Sequence, residues 1–323
     1  MTPKSGPRSE VRKIQLTGGS TYIVSLPKKW ITEHGLEARD QVRIEWRPSG
    51  TLRVIADAST IVRNREVNLD CKEVPDHMIF DHLVAAYLSG ANRITINSSK
   101  EFTRNQSKIV RNFVKSTRGL EITNDQGSKL EMISLLNPAE IPLYSSINRM
   151  YLLISRQVRD FSDVLIGGDS EILEDSAERE NEVDALRLLL ERQVGQILES
   201  ASIEDSLGTS RWEASELCKL VRTLERMGDH SFALCDLASS YKIPSTISMT
   251  SLPISVIPIW QMSFKLLMSN LRKKKISEIH SAKSQLISSK QDLRQYEEEL
   301  RSSNIEIQDA LFLDRVSESL RRI

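Results

Sequence analysis

The spacing of apolar positions changes character twice along the chain. From Val11 to Ile55 the apolar runs are short and bounded by turn residues: Val11–Leu16, Thr21–Leu26, Val42–Trp46 and Leu52–Ile55, with Thr17-Gly18-Gly19-Ser20 and Pro48-Ser49-Gly50 between them. Such runs read as strands. Pro27-Lys28-Lys29-Trp30 opens a short helix, because proline is tolerated in a first turn, and Gly35 closes it. Between 58 and 136 strands and helices mix: strands at Ile61–Leu69, Arg93–Ile96, Leu120–Thr123 and Leu130–Ser134, helices at 75–89 and 103–117. From Pro138 onward no strand-like alternation survives. Amphipathic helices are predicted at roughly 143–166, 169–200, 210–241, 254–275, 277–301 and 304–323, with breaks marked by glycine, proline or serine pairs. Six helices in two sets of three suggest a duplicated three-helix bundle.

These patterns divide the 323 residues into a polar arm at 1–10, expected to be disordered, a front domain at 11–57, a small α+β domain at 58–137 and an all-α domain at 138–323. Within the last, the first repeat covers about 143–241 and the second about 253–323. A front domain this small buries little surface alone and calls for a partner chain. Three cysteines, widely spaced and odd in number, argue for a reducing compartment rather than a disulfide framework. The first ten residues hold no apolar run of the signal-peptide kind, and no apolar stretch is long enough to span a membrane. A cytoplasmic protein without membrane insertion is expected.

Charge changes the picture more. The total is zero, with 44 basic and 44 acidic residues, but residues 1–56 hold ten Lys/Arg against five Asp/Glu, whereas 168–206 hold three Arg against twelve Asp/Glu. A basic front and an acidic middle point to different partners. In the front, Arg12 and Lys13 open the first strand, Lys28 and Lys29 open the helix, and Arg8 lies in the arm. These five are the candidate DNA-binding residues, since affinity for nucleic acid comes from Lys/Arg placed to meet phosphates. Arg272–Lys275 is a second basic run, at a helix end, where it complements the helix dipole. His77 and His82 lie five residues apart, on different helix faces, and are read as surface or partly packed residues.

In the acidic middle, Glu180 and Asp184 stand four apart, and so do Glu225 and Asp229. Four residues apart on a helix is one face, one turn on. At 100° per residue each Asp falls about 40° from its Glu, and in both helices the acids lie on the same flank of the apolar stripe. Consecutive helices joined by a short connection run antiparallel, so equal offsets land on one side of their seam. Glu180, Asp184, Glu225 and Asp229 are therefore expected to converge, and converging carboxylates call for a cation. An all-oxygen donor set suits Mg, Mn or iron, with zinc less favoured. Arg179, Arg222 and Arg226 could instead neutralise the acids as surface ion pairs. Cys218, on nearly the same face, reads as a small buried thiol, and His230 points about 100° away from Asp229.

Two resemblances attach to these residues. Ile14-Gln15-Leu16, Gly18-Gly19-Ser20-Thr21-Tyr22, Ser25-Leu26-Pro27-Lys28-Lys29-Trp30, Gly35-Leu36 and Asp40-Gln41-Val42 resemble the AbrB/MazE-type swapped-hairpin domain, across essentially all of 11–56. That resemblance implies a dimeric swapped-hairpin β-barrel that binds DNA through basic residues on one face. Arg39 stands where the family often has glycine. Leu224-Glu225-Arg226-Met227-Gly228-Asp229-His230 looks like the Leu-Glu-Arg-Ile-Gly-Asp-His-Ala signature of the PhoU phosphate-signalling family, and Glu180–Asp184 with Ala185-Leu186 looks like its other metal-binding motif. The resemblance implies two three-helix repeats and a divalent or trivalent metal on Glu180, Asp184, Glu225 and Asp229. In the second repeat Ser289–Tyr296 has no such acid pair. Ser319-Leu320-Arg321-Arg322-Ile323 puts Arg321 in the Glu position and ends before the Asp, which reads as a shortened repeat. At most one metal cluster is expected.

The function these features imply is a DNA-binding transcriptional regulator of phosphate uptake, with the metal-bearing bundle relaying phosphate status to a protein partner. The alternative is an adaptor that docks on a phosphate transporter ATPase or signalling kinase and uses its front domain only to dimerise. A metallohydrolase is disfavoured: no nucleophile, no His pair at ligand spacing and no phosphate loop stand near the acids, so no enzyme is expected.

Overall fold

The computed structural model describes residues 10–46, 50–56, 65–137 and 140–323. The chain forms two compact units, one up to residue 64 and the other from 65 to 323. The arm, with Arg8, lies outside the described residues apart from residue 10, as does the 61–64 portion of the expected strand.

The first unit holds two antiparallel hairpins, β1 (Gln15–Thr17) with β2 (Thr21–Ile23) and β3 (Val42–Trp46) with β4 (Leu52–Ala56), and the helix α1 (Lys28–Glu33). Among the described residues each hairpin pairs within itself and not with the other. The expected strand from Val11 begins only at Gln15. Among this unit's described residues only Leu36 and Ala56 are buried, and the side chains that should form its core face outward: Tyr22 is 72% exposed and Trp46 85%, with Leu16, Ile44 and Leu52 alongside. A single chain thus shows the hairpins of the expected barrel without its closure. Arg39 takes a left-handed backbone, φ +85°, in the turn before β3.

The second unit begins with a four-stranded sheet in the order β5-β6-β8-β7: β5 (Glu66–Asp70), β6 (Arg93–Asn97), β7 (Leu120–Asp125) and β8 (Lys129–Ser134). β5 and β6 are parallel, and the crossover between them is α2 (Ile79–Leu88). α3 (Arg104–Lys115) opens on a capping box: Thr103 Oγ1 accepts from the Gln106 N–H, and the Gln106 side chain accepts from the Thr103 N–H. Leu83, Tyr87, Ile94, Ile96, Phe113 and Met132 fill the core under this sheet.

The rest is helical: α4 (Leu143–Leu165), α5 (Ser176–Glu199), the short α6 (Ala201–Leu207), α7 (Arg211–Ser240), α8 (Ile257–Lys273), α9 (Ile276–Ser302) and α10 (Ile307–Arg322). α4, α5 and α7 pack as one three-helix set; α8, α9 and α10 form the other. α10 lies on α7, and α8 touches α4, so one hydrophobic core runs through both sets. The helix expected from 169 starts later. Residues 170–173 form one 3-10 turn, because the Asp169 carboxylate accepts from the Glu171 N–H and the Arg179 guanidinium donates to the Ile172 carbonyl. Side chains that bond local backbone in this way compete with a continuous helix. The connection after α5 holds α6, ended by Gly208 in a left-handed conformation.

α5 belongs to both cores. Leu188 packs into the sheet's core. Arg192, 3% exposed, donates to the carbonyls of Tyr87 at 2.5 Å and Ala91 at 2.8 Å, and its guanidinium lies 4.8 Å from the centre of the Tyr87 ring. A buried guanidinium needs such acceptors, because desolvating it without them costs several kcal/mol. The sheet and the bundle therefore form one compact unit.

Candidate metal centre

The site lies on the seam between α5 and α7. Val183 and Gly228 face each other there: a Cβ added at Gly228 would stand 3.0 Å from Val183 Cγ1. The missing side chain lets the helices approach closely, and the residues after each, Asp184 and Asp229, meet beside the contact. One carboxylate oxygen each from Glu180, Asp184 and Asp229 lies within 4.8 Å of the others, and Glu180 and Asp184 are half-buried. Glu225 falls outside that set. It accepts an ion pair from Arg187 Nε at 3.4 Å, and Arg187 also reaches Glu191 at 3.6 Å. Of the four acids the sequence singles out, three are brought together, and the fourth stands at their edge, tied to a cation.

The electrostatics are those of an under-neutralised cluster. Burial, then the Asp184, Asp229 and Glu225 carboxylates, pushes Glu180 up to about 7. Burial and Asp229 raise Asp184, with Arg187 opposing. Burial and Asp229 raise Glu225, and Arg187 and Arg226 pull the other way. Carboxylates that share a site in this way resist joint ionisation unless a cation joins them. Three oxygen donors this close, more acid than the nearby guanidinium neutralises, fit a hard divalent or trivalent ion. Such an ion would be held by Glu180, Asp184 and Asp229.

Arg187 is the residue that the sequence reading missed. It stands three positions after Asp184, on the same face, which was the available signal. The neighbouring arginines divide differently: Arg179 serves Asp160 and Asp175, and Arg222 serves Glu191 at 2.7 Å. His230 is half-buried, and burial and Arg322 push its imidazole below the ordinary range while Asp229 and Glu318 oppose. It does not join the cluster.

In the second repeat, Glu297 on α9 is buried and accepts from Arg321 Nε at 2.9 Å and from Ser317 Oγ at 3.0 Å, both on α10. Arg321, in the signature's Glu position, thus puts a guanidinium where the first repeat has a carboxylate. Among the described residues, Glu180, Asp184 and Asp229 are the one group of three acidic, His or Cys side chains gathered at metal-binding distance.

The family description "PhoU domain" fits residues 147–238, from α4 through α7, with all four acids inside. Residues 147–238 are thus similar to a PhoU domain. The match spans the first three-helix set and leaves the second unmatched. Residues 15–60 match "Antidote-toxin recognition MazE, bacterial antitoxin". No curated protein and no solved structure matches the chain. A PhoU domain behind a MazE/AbrB-type domain fits a regulator of phosphate homeostasis with a front domain of DNA-binding type.

In that front domain Arg12, Lys13, Lys28 and Lys29 are exposed. Arg12 pairs with Glu10, and Lys29 lies 4.0 Å from Glu33 one turn on. Lys28 and Lys29 form the first turn of α1, where the chain leaves Pro27 in an extended conformation. All three cysteines are free thiols, and among the described residues no helix is long and apolar enough to cross a membrane.

Proposed function

We propose that this chain is a cytoplasmic DNA-binding regulator of phosphate uptake. Two copies interleave their front hairpins into a swapped barrel, and Arg12, Lys13, Lys28 and Lys29 of each copy, with Arg8 of the arm, meet the DNA backbone. The PhoU-like domain holds a metal ion on Glu180, Asp184 and Asp229, with Glu225 beside them, and relays phosphate status to a protein partner, such as a phosphate transporter ATPase or a signalling kinase. On this reading the protein binds and relays, and turns over no substrate.

The observation that carries the reading is the front unit's exposed apolar face. Leu16 and Tyr22 are cross-strand partners, as are Trp46 and Leu52, and all four face outward. Burying a large side chain is worth about 1.5 to 3 kcal/mol, so two hairpins that leave this face open are a half-built core. A second copy supplies the other half and doubles the basic cluster. Exposed strand edges are otherwise an aggregation hazard.

An electrophoretic mobility shift with fragments of phosphate-responsive promoters tests this. Binding should weaken steeply with salt, each lost phosphate contact lowering the slope of log K against log salt by about 1. Lys28→Gln with Lys29→Gln should flatten that slope by about 4 per dimer. Salt-independent binding, or none, removes the DNA-binding reading and leaves the adaptor.

A further inference from the structure

α5 has a second flank. Glu182 lies between Glu180 and Asp184 in sequence, about 200° around the helix from each, and it faces a different place. There the end of α3 and the turn after it meet α4 and α5 around an open groove of about 600 Å³. That volume falls in the range that takes a small-molecule ligand, roughly 300 to 1,000 Å³.

The lining is cationic. Lys115, Arg118, Arg149, Arg156, Arg159 and Arg179 face three carboxylates, those of Asp175, Glu178 and Glu182. Two of the three are already engaged. Glu182 accepts two hydrogen bonds from Arg149, at 2.9 and 3.0 Å, and an ion pair from Arg118 at 3.4 Å. Asp175 pairs with Arg179, which also donates to Asp160 at 2.6 Å. Lys115 and Arg159 make no ion pair among the described residues, and the tie from Arg156 to Asp160, at 3.5 Å, is shared with Arg179. Arg179 forms the floor. It is 6% exposed, and its Nε has no hydrogen-bond partner.

Positive charge in a concave surface concentrates the field and draws in anions. Guanidinium forks match the oxygens of a phosphate two at a time. The groove already cradles one oxyanion: the Glu182 carboxylate is clamped by arginines from the sheet layer and from the bundle, in the manner a phosphate group would be. The cations in excess line the space beside it.

We propose that this groove binds a small phosphate-bearing anion. Its arginines come from both layers of the unit, so the ligand bridges them, and it docks on the flank of α5 opposite the carboxylate cluster. The proposal holds whether or not the front domain meets DNA, and whether or not the cluster holds metal.

Calorimetric titration of the full chain tests it, with inorganic phosphate, pyrophosphate and ATP as probes at constant ionic strength. Prior treatment with a chelator prevents the probes from binding through a metal at the carboxylates. Saturable binding of at least one probe is expected, and the probe that binds best identifies the source of the phosphate. Lys115→Gln with Arg159→Gln should weaken that binding at least about tenfold, since both side chains are exposed and hold no other group among the described residues. Lys115→Arg with Arg159→Lys, which keeps the charges, should retain it, as should Lys283→Gln with Lys290→Gln on the exposed face of α9. No saturation by any probe overturns the proposal, and so does equal affinity in the first double variant.

Discussion

Replacing Glu180 by glutamine separates the two states of the carboxylate cluster. Without a cation, Glu180 sits at about 7 rather than its ordinary 4.5. The folded chain therefore binds this proton more tightly than the unfolded chain does. The cluster costs nothing below about pH 4.5, where both states are protonated; the cost grows as pH rises and is complete above about 7. At face value the difference is worth about 3 kcal/mol, and solvent screening of a half-buried carboxylate brings it to roughly 1. Glutamine keeps the shape and removes the charge. In a chain of this size about 1 kcal/mol moves the melting temperature by roughly 2 to 4 °C. Thermal melts of chelator-treated protein should nearly coincide for the two chains at about pH 5, and the variant should melt higher at about pH 8. Added Mn should reverse the order, because an ion at a hundred times its Kd stabilises the wild type by about 2.7 kcal/mol and the variant has lost a ligand. A wild type that melts above the variant at high pH in chelator refutes the repulsion. A wild type that gains nothing from Mg, Mn, iron or Zn refutes the metal.

Two further substitutions probe the frame around the site and the front turn. Gly228→Ala should be close to neutral in chemical denaturation, since about 1 kcal/mol of helix propensity gained offsets the contact its Cβ makes with Val183 at 3.0 Å; Gly228→Leu should cost roughly 1 to 3 kcal/mol and lower metal affinity by parting α5 from α7, and a Leu variant as stable and as metal-competent as wild type would show that the close approach is not needed. Arg39→Gly should raise the stability of the front unit by roughly 0.5 to 1 kcal/mol, because Arg39 stands at φ +85° and glycine accepts that conformation freely; an unchanged or lowered denaturation midpoint counts against strain in that turn.

Much of this was legible in the chain. The hairpins follow from short apolar runs between glycine turns, and the two helical sets from a sustained helical period. The meeting of Glu180, Asp184 and Asp229 follows from equal offsets on antiparallel helices, a statement about angles that sequence carries directly. Angles do not say which carboxylate a neighbouring cation will draw aside, and so Glu225, facing Arg187, was expected to converge with the rest. The 3-10 turn before α5 was hidden because it depends on Arg179 reaching back to the Ile172 carbonyl. The groove was hidden for a different reason: Lys115, Arg149 and Arg179 are far apart in sequence and unremarkable one by one, and only the packing of the sheet layer on α4 and α5 gathers them. The partition at about residue 138 is a change of period, and period reports local conformation, not which surfaces are glued together.

That last point bears on how the molecule can be taken apart. Arg192 sits on a bundle helix, but the carbonyls that hold it, those of Tyr87 and Ala91, belong to the sheet layer. A fragment starting at residue 140 would carry a bare guanidinium and an orphaned Leu188, and a fragment ending at 137 would leave those carbonyls and the Tyr87 ring open to water. The two pieces differ in pattern yet are not interchangeable modules. Recombining this sheet layer with another bundle, or this bundle with another sheet layer, would require carrying Arg192 and its two acceptors together. A cut before residue 65, by contrast, falls between the chain's two compact units.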